Sequence, residues 1–161
     1  MTYSWVPAPL HRALLPVAAR IRHHWRVWRK TPLRGCAVII TNLSGDVLLL
    51  SHSYGPDVWL LPGGGVDAGE DPEDAARREV YEELGLKLGA VENLGSREEV
   101  VSGSPLTAYL FASMTDARPV PDGREVLEAR FFPSHSLPEP LGRITRERIE
   151  VWRRRGVGRG S

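Results

Sequence analysis

The chain has 161 residues, 42% hydrophobic and 25% charged, which suits one domain with a full core and is too short for two comfortable ones. Its net charge of +1 conceals an asymmetry: residues 1–34 carry seven Lys/Arg and no acid, residues 143–161 carry seven Arg against two Glu, and the middle holds seven basic residues against 18 acidic ones. Such an acidic body repels a phosphorylated substrate unless a bound cation neutralises part of it. The single cysteine, Cys36, lies in the apolar run GCAVII, which excludes a disulfide framework and fits a buried strand residue in a reducing compartment. No apolar run has the length needed to span a bilayer. The segment LLPVAA is too short for a signal-peptide core, is broken by Pro16, and is flanked by His11, Arg12 and Arg20. Residues 1–34 also have the Arg-rich, acid-free character of an organellar transit peptide, but the expected location is cytoplasmic.

From Leu14 the spacing Leu14, Ala18, Ile21, Trp25, Trp28 predicts an amphipathic helix ending near Thr31-Pro32, with Arg20, Arg22, Arg26 and Arg29 largely off its apolar stripe. Its tryptophans dock on the body or on a second subunit of a homodimer, or its basic face lies on an anionic membrane surface. After Pro32 the periodicity changes. CAVIITN and DVLLLSHS, joined by Leu43-Ser44-Gly45-Asp46, predict a β-hairpin. A third short strand is expected at Val58-Trp59-Leu60-Leu61, stopped by Pro62 and three glycines.

Asp71 as N-cap, Pro72 at the first helical position and acids in the first turn predict a helix start, with Gly85 or Gly89 as the stop. Beyond it REEVVSG and LTAYLFASM predict strands around Gly103-Ser104-Pro105, EVLEARFF a further strand, and Thr145–Arg155 a closing helix. Strands, a helix, more strands and a final helix argue for an α/β layered domain around a mixed sheet.

The first of these helices carries the chemistry. At 100° per residue Glu79, Glu82 and Glu83 fall within a sector of about 100°, while Ala76, Val80 and Leu84 form the adjacent core face. Like charges at this spacing destabilise a helix. An oxygen-only cluster is what Mg²⁺ or Mn²⁺ prefers, and the absence of His or Cys among these residues argues against zinc. Gly63, Gly64 and Gly65 let the backbone come close to a metal or a phosphate. Glu70 and Arg78 are expected to tie that loop to the helix, with the arginine held away from the metal.

Gly64, Glu70, Arg78-Glu79, apolar Val80, Glu82-Glu83, Gly85 and apolar Leu86, at these spacings, form a complete box resembling that of the Nudix hydrolases. The likeness extends over roughly residues 34–140. It implies an α/β/α sandwich, so that residues 1–33 are a basic helical extension, 34–156 the Nudix domain and 157–161 a frayed tail. It further implies Mg²⁺- or Mn²⁺-dependent attack of water on one phosphorus of a nucleoside diphosphate linked to another moiety. By the same likeness Glu79, Glu82 and Glu83 bind the metals, the Gly63 carbonyl is a further ligand, and Gly64, Glu70 and Arg78 support the site. The base is Glu83 within the box or Glu125 in the later loop, with Glu82 beside them and Glu98, Glu99 and Glu128 as weaker candidates.

Substrate-binding residues stay unassigned. Pro105 and Tyr109 lie 19 and 23 residues beyond Leu86, which does not match the patterns of the ADP-ribose, dinucleoside polyphosphate or coenzyme A subfamilies. Trp59, Tyr54 and Phe132 are candidates to stack on a base, although Trp59 reads as core; His52 and His135 read as surface or satisfied histidines. Two other functions remain open: a nucleotide-binding regulatory module without turnover, and an RNA 5′-end pyrophosphohydrolase using Arg146, Arg148, Arg153, Arg154 and Arg155. Few aromatics interleave those arginines, so nucleic acid is the less favoured partner.

Overall fold

A computed structural model of the protein describes residues 33–101 and 103–157. The expected N-terminal helix and residues 158–161 lie outside them. The described elements are β1 (Leu33–Thr41), β2 (Val47–His52), β3 (Gly63–Gly65), α1 (Pro72–Leu84), β4 (Val91–Val101), β5 (Ser104–Met114), β6 (Val126–Phe132) and α2 (Arg143–Val157). The strands make one mixed sheet in the order β4-β5-β1-β2-β6, with β3 also on β1. Only β1 and β5 run parallel; the other pairs are antiparallel. No helix among the described residues is long and apolar enough to cross a membrane.

Alternation along the central strands sorts the side chains into two cores. Cys36, Val38, Ile40, Leu48, Leu50 and Phe111 meet Ala76, Val80 and Leu84 of α1, while Ala37, Ile39, Val47, Leu49 and Leu110 meet Ile149 and Trp152 of α2. Each fully buried Leu, Ile or Val contributes about 1.5–3 kcal/mol. The result is the expected α/β/α sandwich, with α1 and α2 on opposite faces.

Several boundaries differ from expectation. Val58–Leu61 is not a strand: Trp59 and Leu60 make only isolated bridges, to Leu141 and Leu50. The glycines expected to end it are themselves β3, opposite Gly35, Cys36 and Ala37. Hydrogen bonds from Val38 N–H to the Pro62 carbonyl (2.9 Å) and from Val66 N–H to the Arg34 carbonyl (3.0 Å) bracket them. Satisfying that edge of β1 outweighs the poor strand propensity of glycine. Strand β4 begins at Val91, ahead of the expected Arg97, and a bulge at Asn93/Gly95 keeps it on β5. Helix α2 begins earlier, at Arg143, and continues through Val157.

Helix α1 starts and stops as its sequence dictates. The Asp71 carboxylate accepts from the Glu73 and Asp74 N–H groups, Pro72 follows, and Gly85 N–H closes the last turn on the Tyr81 carbonyl. The loop before it is tied down by Glu70, which accepts from Arg78 Nε (2.8 Å), Arg78 Nη2 (3.0 Å) and the Asp67 N–H (2.9 Å). The Arg78 hydrogen bonds, then that of Asp67, pull the Glu70 carboxyl down from 4.5 to about 2. Because its folded-state value is the lower one, the ionised carboxylate stabilises the fold above about pH 4.5, and that contribution fades as pH falls towards 2. The thermal-stability advantage of wild type over Glu70→Gln is therefore expected to be full above pH 4.5 and to shrink towards pH 2; a pH-independent gap would contradict the tie.

Candidate active site

The three box glutamates differ sharply in environment. Glu83 is only 6% exposed. Its Oε2 accepts from the Gly63 N–H (3.1 Å), and its Oε1 lies 3.2 Å from His52 Nε2. Glu79 is mostly buried, whereas the Glu82 side chain is 60% exposed. Burial pushes the Glu79 and Glu83 carboxyls up from the ordinary range; Arg78 opposes this at Glu79, and His52 and the Gly63 N–H oppose it at Glu83. Two desolvated carboxylates one turn apart thus face the strand of glycines.

Arg78 is not held away from this cluster. Its Nη1 donates to Glu79 Oε1 (2.8 Å) and sits 3.6 Å from Glu82 Oε2, while Nη2 donates to the Gly65 carbonyl (3.1 Å). The planar guanidinium has donors enough to grip Glu70, Gly65 and Glu79 at once. It therefore supplies part of the positive charge that a helix face of glutamates requires.

The glycines are required by contact. Gly63 has φ of 147°, and a Cβ there would stand 2.2 Å from the Cys36 carbonyl oxygen. Alternation of the antiparallel ladder, set by the Val38–Pro62 and Val66–Arg34 bonds, turns the Gly63 peptide groups away from β1. Its N–H meets Glu83, and its carbonyl lies outside that ladder. At Gly64 a Cβ would lie 2.4–2.6 Å from the Glu79 carboxylate.

Of the other acids, Glu125 lies within electrostatic reach of Glu83. Its carboxylate faces the Tyr54 hydroxyl (3.5 Å), and its charge helps raise Glu83. Glu99 is taken by Arg148 of α2 (2.7 Å), Glu128 by Arg130, and Glu98 is exposed on edge strand β4. Trp59 packs edge-on against Phe132 (4.8 Å) in the α2-side core, so neither joins the carboxylates, while Tyr54 stays half-exposed beside His52 at 5.2 Å. His135 is exposed. His52 is a satisfied histidine, as expected, but its partner is Glu83, a pairing no local pattern announces because it needs the end of β2 to reach the far turn of α1.

Several arginines of α2 proposed for RNA are engaged by acids. Arg146 pairs with Glu139, Arg148 with Glu99 and Arg154 with Glu150. They also lie across the sheet from α1.

The donor set suits a hard divalent cation: oxygen ligands only, two of them desolvated carboxylates whose ionised form a dication would stabilise. Glu79, Glu82, Glu83 and the Gly63 carbonyl are the groups able to hold it. Among the described residues no three His, Cys, Asp or Glu side chains already converge as a ligand set. Arg78 engages Glu79 and Glu82 points outward, so these two must turn to bind.

Comparison with known proteins places the fold. The NUDIX domain model matches residues 31–152. Diphosphoinositol polyphosphate phosphohydrolase 2 of Rattus norvegicus is 47% identical over 64 residues, covering 36% of each chain. RNA pyrophosphohydrolase of Rhodospirillum rubrum is 43% identical over 54 residues, covering 34% of this chain and 33% of the other. The chain thus spans about a third of the length of these curated relatives. A crystal structure of a MutT NUDIX hydrolase from Burkholderia pseudomallei superposes with a TM-score of 0.68 at 29% identity, over 74% of this chain and 97% of that one. With the match covering the whole sheet, α1 and the first part of α2, the chain belongs to the NUDIX domain family.

Proposed function

We propose that the protein is a Mg²⁺- or Mn²⁺-dependent hydrolase that cleaves the pyrophosphate linkage of a nucleoside diphosphate joined to another moiety, such as a nucleotide sugar, an ADP-ribose-like compound or a (d)NTP. The observation that carries this reading is the buried Glu83, fixed between the Gly63 N–H and His52 one turn from Glu79. Hydrogen bonds hold it for a task that packing alone does not require. The relatives named above are phosphohydrolases or hydrolases by name, which supports the reaction class.

A divalent cation held by Glu79, Glu82, Glu83 and the Gly63 carbonyl would polarise the phosphate oxygens and acidify water. The chain's own groups do the rest. Arg78 ties Glu70 to the β3 backbone through the Gly65 carbonyl, and burial of Glu79 and Glu83 strengthens the charge interactions these two make. Both oxygens of Glu83 are engaged, whereas among the described residues the Glu125 carboxylate meets the Tyr54 hydroxyl alone, which leaves a Glu125 oxygen free to take the proton of the attacking water. The new phosphorus–oxygen bond forms as the bridging oxygen departs with the second phosphate. The buried pair of Arg148 with Glu99 removes one of the arginines that an RNA grip on α2 would use.

A product screen with Mg²⁺ and then Mn²⁺ on ADP-ribose, nucleotide sugars, dinucleoside polyphosphates, (d)NTPs and 5′-triphosphorylated RNA is expected to show metal-dependent cleavage. Glu83→Gln, which removes a group able to hold the cation, should lower it by about a hundredfold. A folded protein that binds nucleotide and cleaves none of these is instead a binding module.

Gly64→Ala separates fold from function. Position 64 has ordinary strand geometry, and the clash falls on the end of a flexible side chain, so Glu79 moves and the backbone stays. The melting temperature is expected to hold within a few degrees while Mg²⁺ affinity, measured by calorimetry, falls by about tenfold. Equal affinity would show that the close approach at Gly64 does not place Glu79.

A further inference from the structure

The loop that carries Glu125 is built more firmly than a surface turn needs to be. The Asp122 Oδ1 accepts three backbone N–H groups, from Arg124 (3.0 Å), Glu125 (3.0 Å) and Val126 (2.9 Å). The Asp122 N–H donates to the Glu83 carbonyl (3.1 Å), and just upstream the Val120 N–H donates to the Leu84 carbonyl (2.8 Å). The loop is thereby keyed to the last turn of α1, where helix carbonyls otherwise lack partners. From the other side, the Ser53 N–H donates to the Glu125 carbonyl (2.9 Å) and the Ser53 hydroxyl to the Arg124 carbonyl (2.8 Å).

Two separate paths therefore join Glu125 to Glu83. One runs through backbone: Glu83 carbonyl, Asp122 N–H, Asp122 carboxylate, Glu125 N–H. The other runs through side chains: Glu83, His52 at 3.2 Å, the Tyr54 ring at 5.2 Å, and the Tyr54 hydroxyl at 3.5 Å from Glu125 Oε2. The first path sets where residue 125 leaves the loop, and the second gives its carboxylate a partner.

We infer that Asp122 and Tyr54 are positioning residues that hold the Glu125 carboxylate against the Glu83 end of the carboxylate cluster, making Glu125 a fixed part of the cation and water site. The inference deepens the hydrolase reading, resting on it for the role of Glu125, yet it concerns geometry that can be read without turnover. Tyr54 suits the task because a phenol is a hydrogen-bond donor among groups that only accept. Asp122 suits it because a carboxylate can accept several N–H groups at once.

Mn²⁺ alone is the probe, with affinity measured by electron paramagnetic resonance on the full chain. Removing the fixed Glu125 charge with Glu125→Gln is expected to weaken Mn²⁺ binding by about fivefold, the scale of one nearby charge acting on a dication through a wet dielectric. Asp122→Ala should weaken it comparably and Tyr54→Phe by a smaller factor, whereas Asp122→Asn, which keeps an Oδ1 acceptor, should stay near wild type. The deciding comparison is the double variant. If Asp122 acts through Glu125, Asp122→Ala adds nothing in the Glu125→Gln background. An undiminished Asp122→Ala effect there, an equal loss in Asp122→Asn, or no effect of Asp122→Ala on binding would each overturn the assignment, as would a wild type that does not bind Mn²⁺. Absence of cleavage with these affinities as expected would remove the hydrolase reading and leave the positioning role standing. On any substrate that is cleaved, the same variants should lower kcat with little change in KM.

Discussion

Gathering carboxylates on one face of one helix is the constraint on which the rest of this structure turns. Glu79 and Glu83 are desolvated and one turn apart, so their repulsion is poorly screened and must be met locally. Arg78 meets it on one side, gripping Glu70, Gly65 and Glu79 with a single guanidinium. His52 and the Gly63 N–H meet it on the other. A loop, a strand of glycines, the end of β2 and α1 are each placed by a bond to that cluster or to Arg78.

The two faces of the sheet divide the work. The α1 side pairs its core with the carboxylate cluster at the helix rim, and the loops after β2 and β5 come to that same rim. The α2 side is closed by apolar packing and by ion pairs such as Arg148 with Glu99, which leaves it as the buttress for the central strands. The charge asymmetry of the sequence thus has a spatial counterpart in part. Several basic residues of the closing helix are consumed by neighbouring acids, while the box acids hold their positive partners close.

Much of this was legible beforehand because it is local. Asp71, Pro72 and Gly85 mark the ends of α1 by backbone chemistry, the β1–β2 hairpin follows from its apolar runs and turn, and the box fixes which glutamates share a face. What was hidden depends on pairings between distant residues. Nothing in three consecutive glycines announces a strand; β1 makes them one by offering a ladder edge. Nothing near His52 announces Glu83, because their meeting depends on how the end of β2 lies beside α1. The Glu70–Arg78 tie was expected, whereas the reach of the same guanidinium to Glu79 was not. Trp59 was correctly a core residue, its partner Phe132 coming from the far end of the chain's last strand.

The central claim is that the carboxylate face of α1, with the Gly63 carbonyl, is a divalent-cation site. The most direct measurement is an anomalous difference map from a crystal of the protein soaked in Mn²⁺. The account predicts a peak between Glu79, Glu82, Glu83 and the Gly63 carbonyl, with Glu79 turned from Arg78 to meet it. Manganese bound elsewhere on the chain while that position stays empty would contradict it.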